Sequence, residues 1–169
     1  MSKMCYKALV GYMSQTGNTR KVAEAIYTEL PGEKTIAKIS DLEDLDGFDV
    51  SFIGFPMIDM GPPSGVASFL LEKGKGKKIA LFLTHGAALS FPPLKGWLQK
   101  CIDATDNAEL LGLFSCQGEV NVEVREAMAR SNDPQLQMYA RMSVLADGQP
   151  DEENLSRARA FAKRIMEVV

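Results

Sequence analysis

Six consecutive residues, Ser14, Gln15, Thr16, Gly17, Asn18 and Thr19, put hydroxyl and amide groups on both sides of one glycine, directly after the apolar run "KALVGYM". The next residues, "RKVAEAI", read as the first turns of a good helix. A helix start presents backbone N–H groups with no intrahelical partner and the positive end of the helix dipole. Side-chain donors gathered there, with Gly17 letting the backbone come close, form an anion site of the kind that holds phosphate. The alternative is an ordinary capped helix after a turn.

The type of phosphate is narrowed by what is missing. A triphosphate loop of the pattern GxxxxGK[ST] needs a lysine for the outer phosphates. Here Gly11 and Gly17 are separated by five residues, and Asn18 follows where that lysine would stand. The dinucleotide pattern GxGxxG is absent, and "GKGKK" at 74–78 precedes a strand-like segment instead of opening a helix. A single phosphate held by backbone and neutral donors fits best.

The elements that position this loop alternate along the chain. Strands are expected at Tyr6–Tyr12, Lys34–Ile39, Asp49–Phe55, Lys78–Thr84 and Leu110–Ser115. "VSFIGF" and "IALFLT" are almost wholly apolar, as parallel strands covered on both faces must be, whereas "KTIAKI" alternates and suits an edge. The first helix carries Val22, Ala23, Ile26 and Leu30 on one face and stops at Pro31-Gly32. Further helices are expected over Ser64–Glu72, Pro92–Cys101 and Asp151–Glu167, the last with a stripe of Leu155, Ala158, Ala162 and Ile165. Right-handed crossovers then give an α/β fold, a three-layer doubly wound sheet of five parallel strands. Ligands of such folds sit beyond the carboxyl ends of the strands, so the loops at 13–19, 40–47, 55–64, 85–91 and 116–120 matter. The whole chain, 1–169, reads as one domain with an extra segment at 119–150, two short helices around "NDP".

Composition excludes several classes. A net charge of −3 gives no basis for nucleic-acid or anionic-membrane binding, and no apolar run approaches the ~20 residues of a membrane span. One histidine and three cysteines without metal-ligand spacing leave no metal site of those residues, and the thiols read as reduced. The start, "MSKMCYKALVGYM", is broken by Lys3 and Lys7 and reads as a strand, not a signal peptide. The expectation is a cytoplasmic protein.

"SQTGNT", after the first strand and opening the first helix, resembles the [ST]xTGxT phosphate loop of flavodoxins, and the strand–helix order extends the likeness along the chain. The resemblance implies a sheet of order 2-1-3-4-5 and FMN as cofactor, its phosphate gripped by residues 14–19. It also implies two ring-binding loops, and both depart from the family habit of a stacking aromatic after strand three and a tyrosine after strand four. The first, with Pro56, Met57, Ile58, Met60 and Gly61, has no aromatic. Its methionines and isoleucine either pack on the ring or fold back on the core, and Gly61 offers the peptide flip that family members use at the flavin N5. The second, with Thr84, His85, Gly86, Ala87 and Phe91, offers backbone N–H groups to the pyrimidine edge and Phe91 for the tyrosine's role. His85 is either structural or a ring or substrate contact whose charge near neutral pH shifts the flavin potential. Trp97 is expected in the core, while Cys116 and Gln117 reach the same rim.

The acidic stretch 41–49, "DLEDLDGFD", is either a solvated face or a dock for a basic redox partner. The lysines of "EKGKGKK" belong to the opposite pole. A phosphate held without lysine in acidic surroundings implies a low-potential electron carrier. Two rivals stand beside it. One is an FMN-dependent reductase or oxidase linked to NAD(P)H or a quinone, with 119–150 shaping its pocket. The other is a non-redox interaction module.

Overall fold

The computed structural model describes residues 5–169; residues 1–4, the start of the segment read above as a strand rather than a signal peptide, lie outside the described residues. Five strands, β1 (Lys7–Tyr12), β2 (Glu33–Lys38), β3 (Val50–Pro56), β4 (Lys78–His85) and β5 (Glu109–Gln117), pair in parallel in the order β2-β1-β3-β4-β5. Six helices accompany them: α1 (Asn18–Glu29), α2 (Ser64–Lys73), α3 (Leu94–Asp103), α4 (Val122–Arg130), α5 (Pro134–Met142) and α6 (Glu152–Val168). The expected doubly wound sheet is therefore present, in the expected order.

Side-chain alternation splits the strand residues between two cores. Ala8, Val10, Phe52, Ala80, Phe82 and Phe114 face α1 and α6, packing with Val22, Ile26, Ala158 and Phe161. Leu9, Ile53, Phe55, Leu81 and Leu83 face α2 and α3, with Leu70 and Cys101. Residues 50–55 of β3 and 79–85 of β4 are all buried, whereas β2, at the edge, is half-exposed. The stripe of α6 includes Phe161, which the sequence reading omitted; its ring meets Phe52 edge-on, centroids 6.2 Å apart. Gly54 leaves its space to Phe82: a Cβ there would lie 1.9 Å from the ring of that phenylalanine.

The acidic stretch 41–49 begins just past the carboxyl end of β2 and ends at the amino pole of the sheet. Asp46 pairs with Lys77 at 2.6 Å, and Asp49 accepts the backbone N–H of Lys7 at 2.7 Å. The chain crosses the molecule between β2 and β3, so only the beginning of 41–49 lies near the carboxyl ends of the strands. No helix of the described residues is long and apolar enough to cross a membrane.

Candidate functional site

A groove of about 600 Å³ opens at the carboxyl ends of β1, β3 and β4, within the size range of small-molecule sites. Gln15, Thr16 and Asn18 form one end of it. Pro56, Met57, Ile58, Met60, Thr84, His85, Gly86 and Phe91 line its middle, and Trp97, Val120, Val124, Leu136 and Tyr139 close the far side. Ser14, Gly17, Thr19, Gly61 and Ala87 of the expected set are not on its lining.

At the polar end, Gly17 takes a left-handed backbone, φ 94°, immediately before α1. That conformation, cheap only for glycine, folds the loop so that the Ser14 hydroxyl oxygen accepts the N–H groups of Gly17 (3.1 Å) and Arg20 (3.3 Å). Ser14 thus shapes the loop from outside the groove. Thr19 is buried, and its hydroxyl is 2.8 Å from that of Thr84, tying the start of α1 to the end of β4. Asn18 commits one of its amide N–H groups within the protein: Nδ2 donates to the Glu119 carbonyl at 2.9 Å. Arg20, the first cation of α1, is engaged by Glu24 at 2.9 Å. The charged residues lining the groove are Asp59, Glu119 and Asp133.

The loop after β3 closes through reciprocal hydrogen bonds between Ile58 and Gly61. The two residues between them carry the left-handed backbone, Asp59 at φ 51° and Met60 at φ 63°. Gly61, expected to supply the freedom for a peptide flip, has no such φ; the strain sits one peptide earlier, at about 1–2 kcal/mol for a non-glycine residue. Met60 is half-exposed on the rim, while Met57 donates its N–H to the Thr84 carbonyl and packs against the α2/α3 core. Met57 thus follows the fold-back alternative, while Met60 stays exposed at the rim.

Strand alternation turns Thr84 toward α1 and its neighbour His85 toward α3. His85 is 5% exposed, with Nδ1 2.8 Å from the Ala87 carbonyl. A carbonyl only accepts, so Nδ1 carries the proton and Nε2 is a lone-pair acceptor. That Nε2 is buried with no partner among the described residues, a costly state for a polar atom. Burial pushes the imidazole pKa down to about 4, the Ala87 bond opposing it. His85 is therefore neutral at pH 7, which overturns the expectation of a charge near neutral pH.

Two further expectations are corrected. Trp97 is not core: it lines the groove, 5.6 Å from Phe91 and 6.0 Å from Tyr139 between ring centroids. Cys116 does not reach the rim; it is fully buried with Phe114 in the α1/α6 core, and burial pushes its thiol up to about 12. Gln117 sits nearer the loop, its amide donating to the Gly86 carbonyl at 3.2 Å.

The sequence reading allowed 119–150 to shape a pocket but did not name the residues of this wall, Val120, Val124, Leu136 and Tyr139. Leu136, Tyr139, Ala140 and Ser143 fall at i, i+3, i+4 and i+7, a helical face, and that spacing was the available signal. The donor-rich helix start, the glycine approaches at Gly86 and Gly118, the apolar walls and the unpartnered Nε2 together fit a flat ring bearing a phosphate.

Comparison with known proteins gives the same direction. A flavodoxin domain model matches residues 9–163. The flavodoxin-like domain-containing protein BilS of Clostridioides difficile (strain CD3) is 33% identical over 171 residues, covering 95% of this chain and 96% of the relative. Among solved structures, a short-chain flavodoxin associated with a non-canonical PDU bacterial microcompartment superposes with a TM-score of 0.62 at 17% identity, covering 96% and 98% of the two chains. Oxidised flavodoxin 2 from Bacillus cereus gives 0.60 at 21% identity, covering 96% and 99%.

Proposed function

This chain belongs to the flavodoxin family, and from that premise we propose that it binds FMN and works as a low-potential electron carrier. FMN, when bound, supplies the one- and two-electron chemistry. The observation that carries the potential is the charge of the groove: Asp59, Glu119 and Asp133 line it, with no lysine or arginine on the lining among the described residues. Negative charge gained by the ring on reduction finds no cation there, which disfavours reduction.

The roles divide along the groove. The backbone of 14–19, with Gln15 and Thr16, holds the phosphate, while Ser14, Gly17, Thr19 and Asn18 hold the loop in shape. Met57, Ile58, Met60, Phe91, Trp97 and Tyr139 enclose the ring, with Pro56 and Thr84 at its base and Gly61 closing the turn. His85 Nε2 is an acceptor for a ring N–H, and Gly86 and Ala87 bring backbone donors. An electron-transfer partner reaches the groove across the exposed rim of Met60 and Leu89, since much of 41–49 is engaged at the far pole. The chain acts as one unit, with 119–150 as part of the site.

Titration with FMN and with riboflavin, followed by flavin fluorescence, tests the binding. Strong quenching by FMN with riboflavin much weaker is expected; no response to either rules the reading out. A reduction potential above that of free FMN would rule out the low-potential part. The aromatic wall of Phe91, Trp97 and Tyr139 favours one second reading, an FMN-dependent reductase whose substrate stacks there. Steady-state NAD(P)H oxidation with simple quinone acceptors distinguishes it, a carrier giving no turnover.

A further inference from the structure

We propose that Tyr139 controls access to the ring end of the groove: α5 lays its phenol over the backbone N–H groups of Gly86 and Ala87, and a ring that uses those donors must displace it. This rests on the flavin reading above.

The loop after β4 has three successive N–H groups, and α5 covers all of them. A Cβ on Gly86 would lie 2.7 Å from the Tyr139 hydroxyl oxygen and 2.4 Å from Val120 Cγ2, so only glycine admits this contact. The phenolic oxygen thus packs directly on the Gly86 backbone; the neighbouring Gly86 and Ala87 N–H groups draw its pKa down, against the larger upward push of burial. The Ala88 N–H donates to Met142 Sδ at 3.3 Å. Tyr139 and Met142 are three residues apart and so share one helix face.

Both covers are replaceable. A thioether and a phenol oxygen are weaker acceptors than a ring carbonyl or an anionic ring nitrogen. The helices that carry them are lightly held: α4 buries no residue and α5 buries only Ala140, the profile of a segment that opens at low cost. Its entry is fastened to the phosphate loop by the Asn18–Glu119 bond. Displacement at the ring end therefore leaves the segment attached at the other.

Tyr139→Phe keeps the aromatic wall and removes the competing oxygen. FMN and riboflavin should both bind the variant about three- to tenfold more tightly, the worth of one hydrogen bond, with their affinity ratio unchanged because the phosphate end is untouched. A residue that merely forms wall predicts no gain. Unchanged or weaker binding by the variant, with FMN still bound by the native protein, overturns the inference and leaves the flavin reading standing. Loss of flavin binding in both proteins overturns both. Binding confined to the variant supports both. As a readout that does not require the Tyr139→Phe variant to fold, native protein labelled with 3-fluorotyrosine should show the Tyr139 fluorine resonance move on FMN addition. That resonance is assigned among the four tyrosines by the remaining substitutions, and its staying fixed would also overturn the proposal.

Discussion

The two ends of the groove are built in opposite ways. At the polar end, one contiguous loop and the helix it opens supply the donors, and their geometry follows from Gly17 and Ser14 within six residues. At the aromatic end, Phe91, Trp97 and Tyr139 come from a loop and two helices and meet only when the chain is folded. The boundary runs between neighbours: Thr84 is hydrogen-bonded to Thr19, while His85 keeps an unpartnered nitrogen. On the proposed function, a local, prebuilt end sets the class of ligand, a phosphate. On the inference drawn above, an end assembled from distant segments, closed by weak caps, is where affinity and access are adjusted.

The largest expected effect is at that boundary. The folded His85 has its pKa near 4, below the 6.5 of the unfolded residue, so the unfolded chain takes the proton first as pH falls. Its contribution is full above about pH 6.5 and is lost as pH falls toward about 4, at roughly 3 kcal/mol in total. Urea denaturation at pH 7 and pH 4.5 should show a smaller acid loss in His85→Gln; equal losses would mean that the imidazole is not the cause.

Next come matched glycine substitutions, one at each end. Gly86→Ala drives a methyl into Val120 and Tyr139 and should cost about 1–3 kcal/mol, partly recovered by adding Val120→Ala. Gly17→Ala meets nothing within 4 Å but must hold φ 94°, so it should cost about 1 kcal/mol of backbone strain with no rescue by any neighbour. Calorimetric melting of the single and double variants checks both; rescue at Gly17 or its absence at Gly86 breaks the distinction. The smallest effect has the opposite sign: Met60→Gly releases a left-handed non-glycine residue and should stabilise by up to about 1 kcal/mol, measured by the same melts.

What was legible in the sequence follows the same division. β3 and β4 were read from unbroken apolar runs, α1 from its stripe, and the glycine turn that opens α1 from a contiguous motif, all within a window of one element. Tertiary facts were not legible in that way. Neutral His85 depends on how deeply α3 and the wall bury it, and the left-handed pair Asp59–Met60 on hydrogen bonds that close the loop around them. Some misses had a usable signal. Cys116 shares the parity of Phe114 along β5, which places it on the buried face, and Tyr139 lies on a regular helical face. Where the acidic stretch 41–49 ends was not legible either: the connection between β2 and β3 crosses the molecule and carries Asp46 and Asp49 to the other pole.

Gly54 and Phe82 lie side by side in register on adjacent strands, the ring occupying the volume a side chain at 54 would need. The two positions therefore share one allotment of space, and change at them has an order. A relative that gains a side chain at 54 must first have lost the ring at 82, because the reverse order passes through a protein in which both claim the same volume. Across related chains, a small residue at one of these positions should accompany a bulky residue at the other.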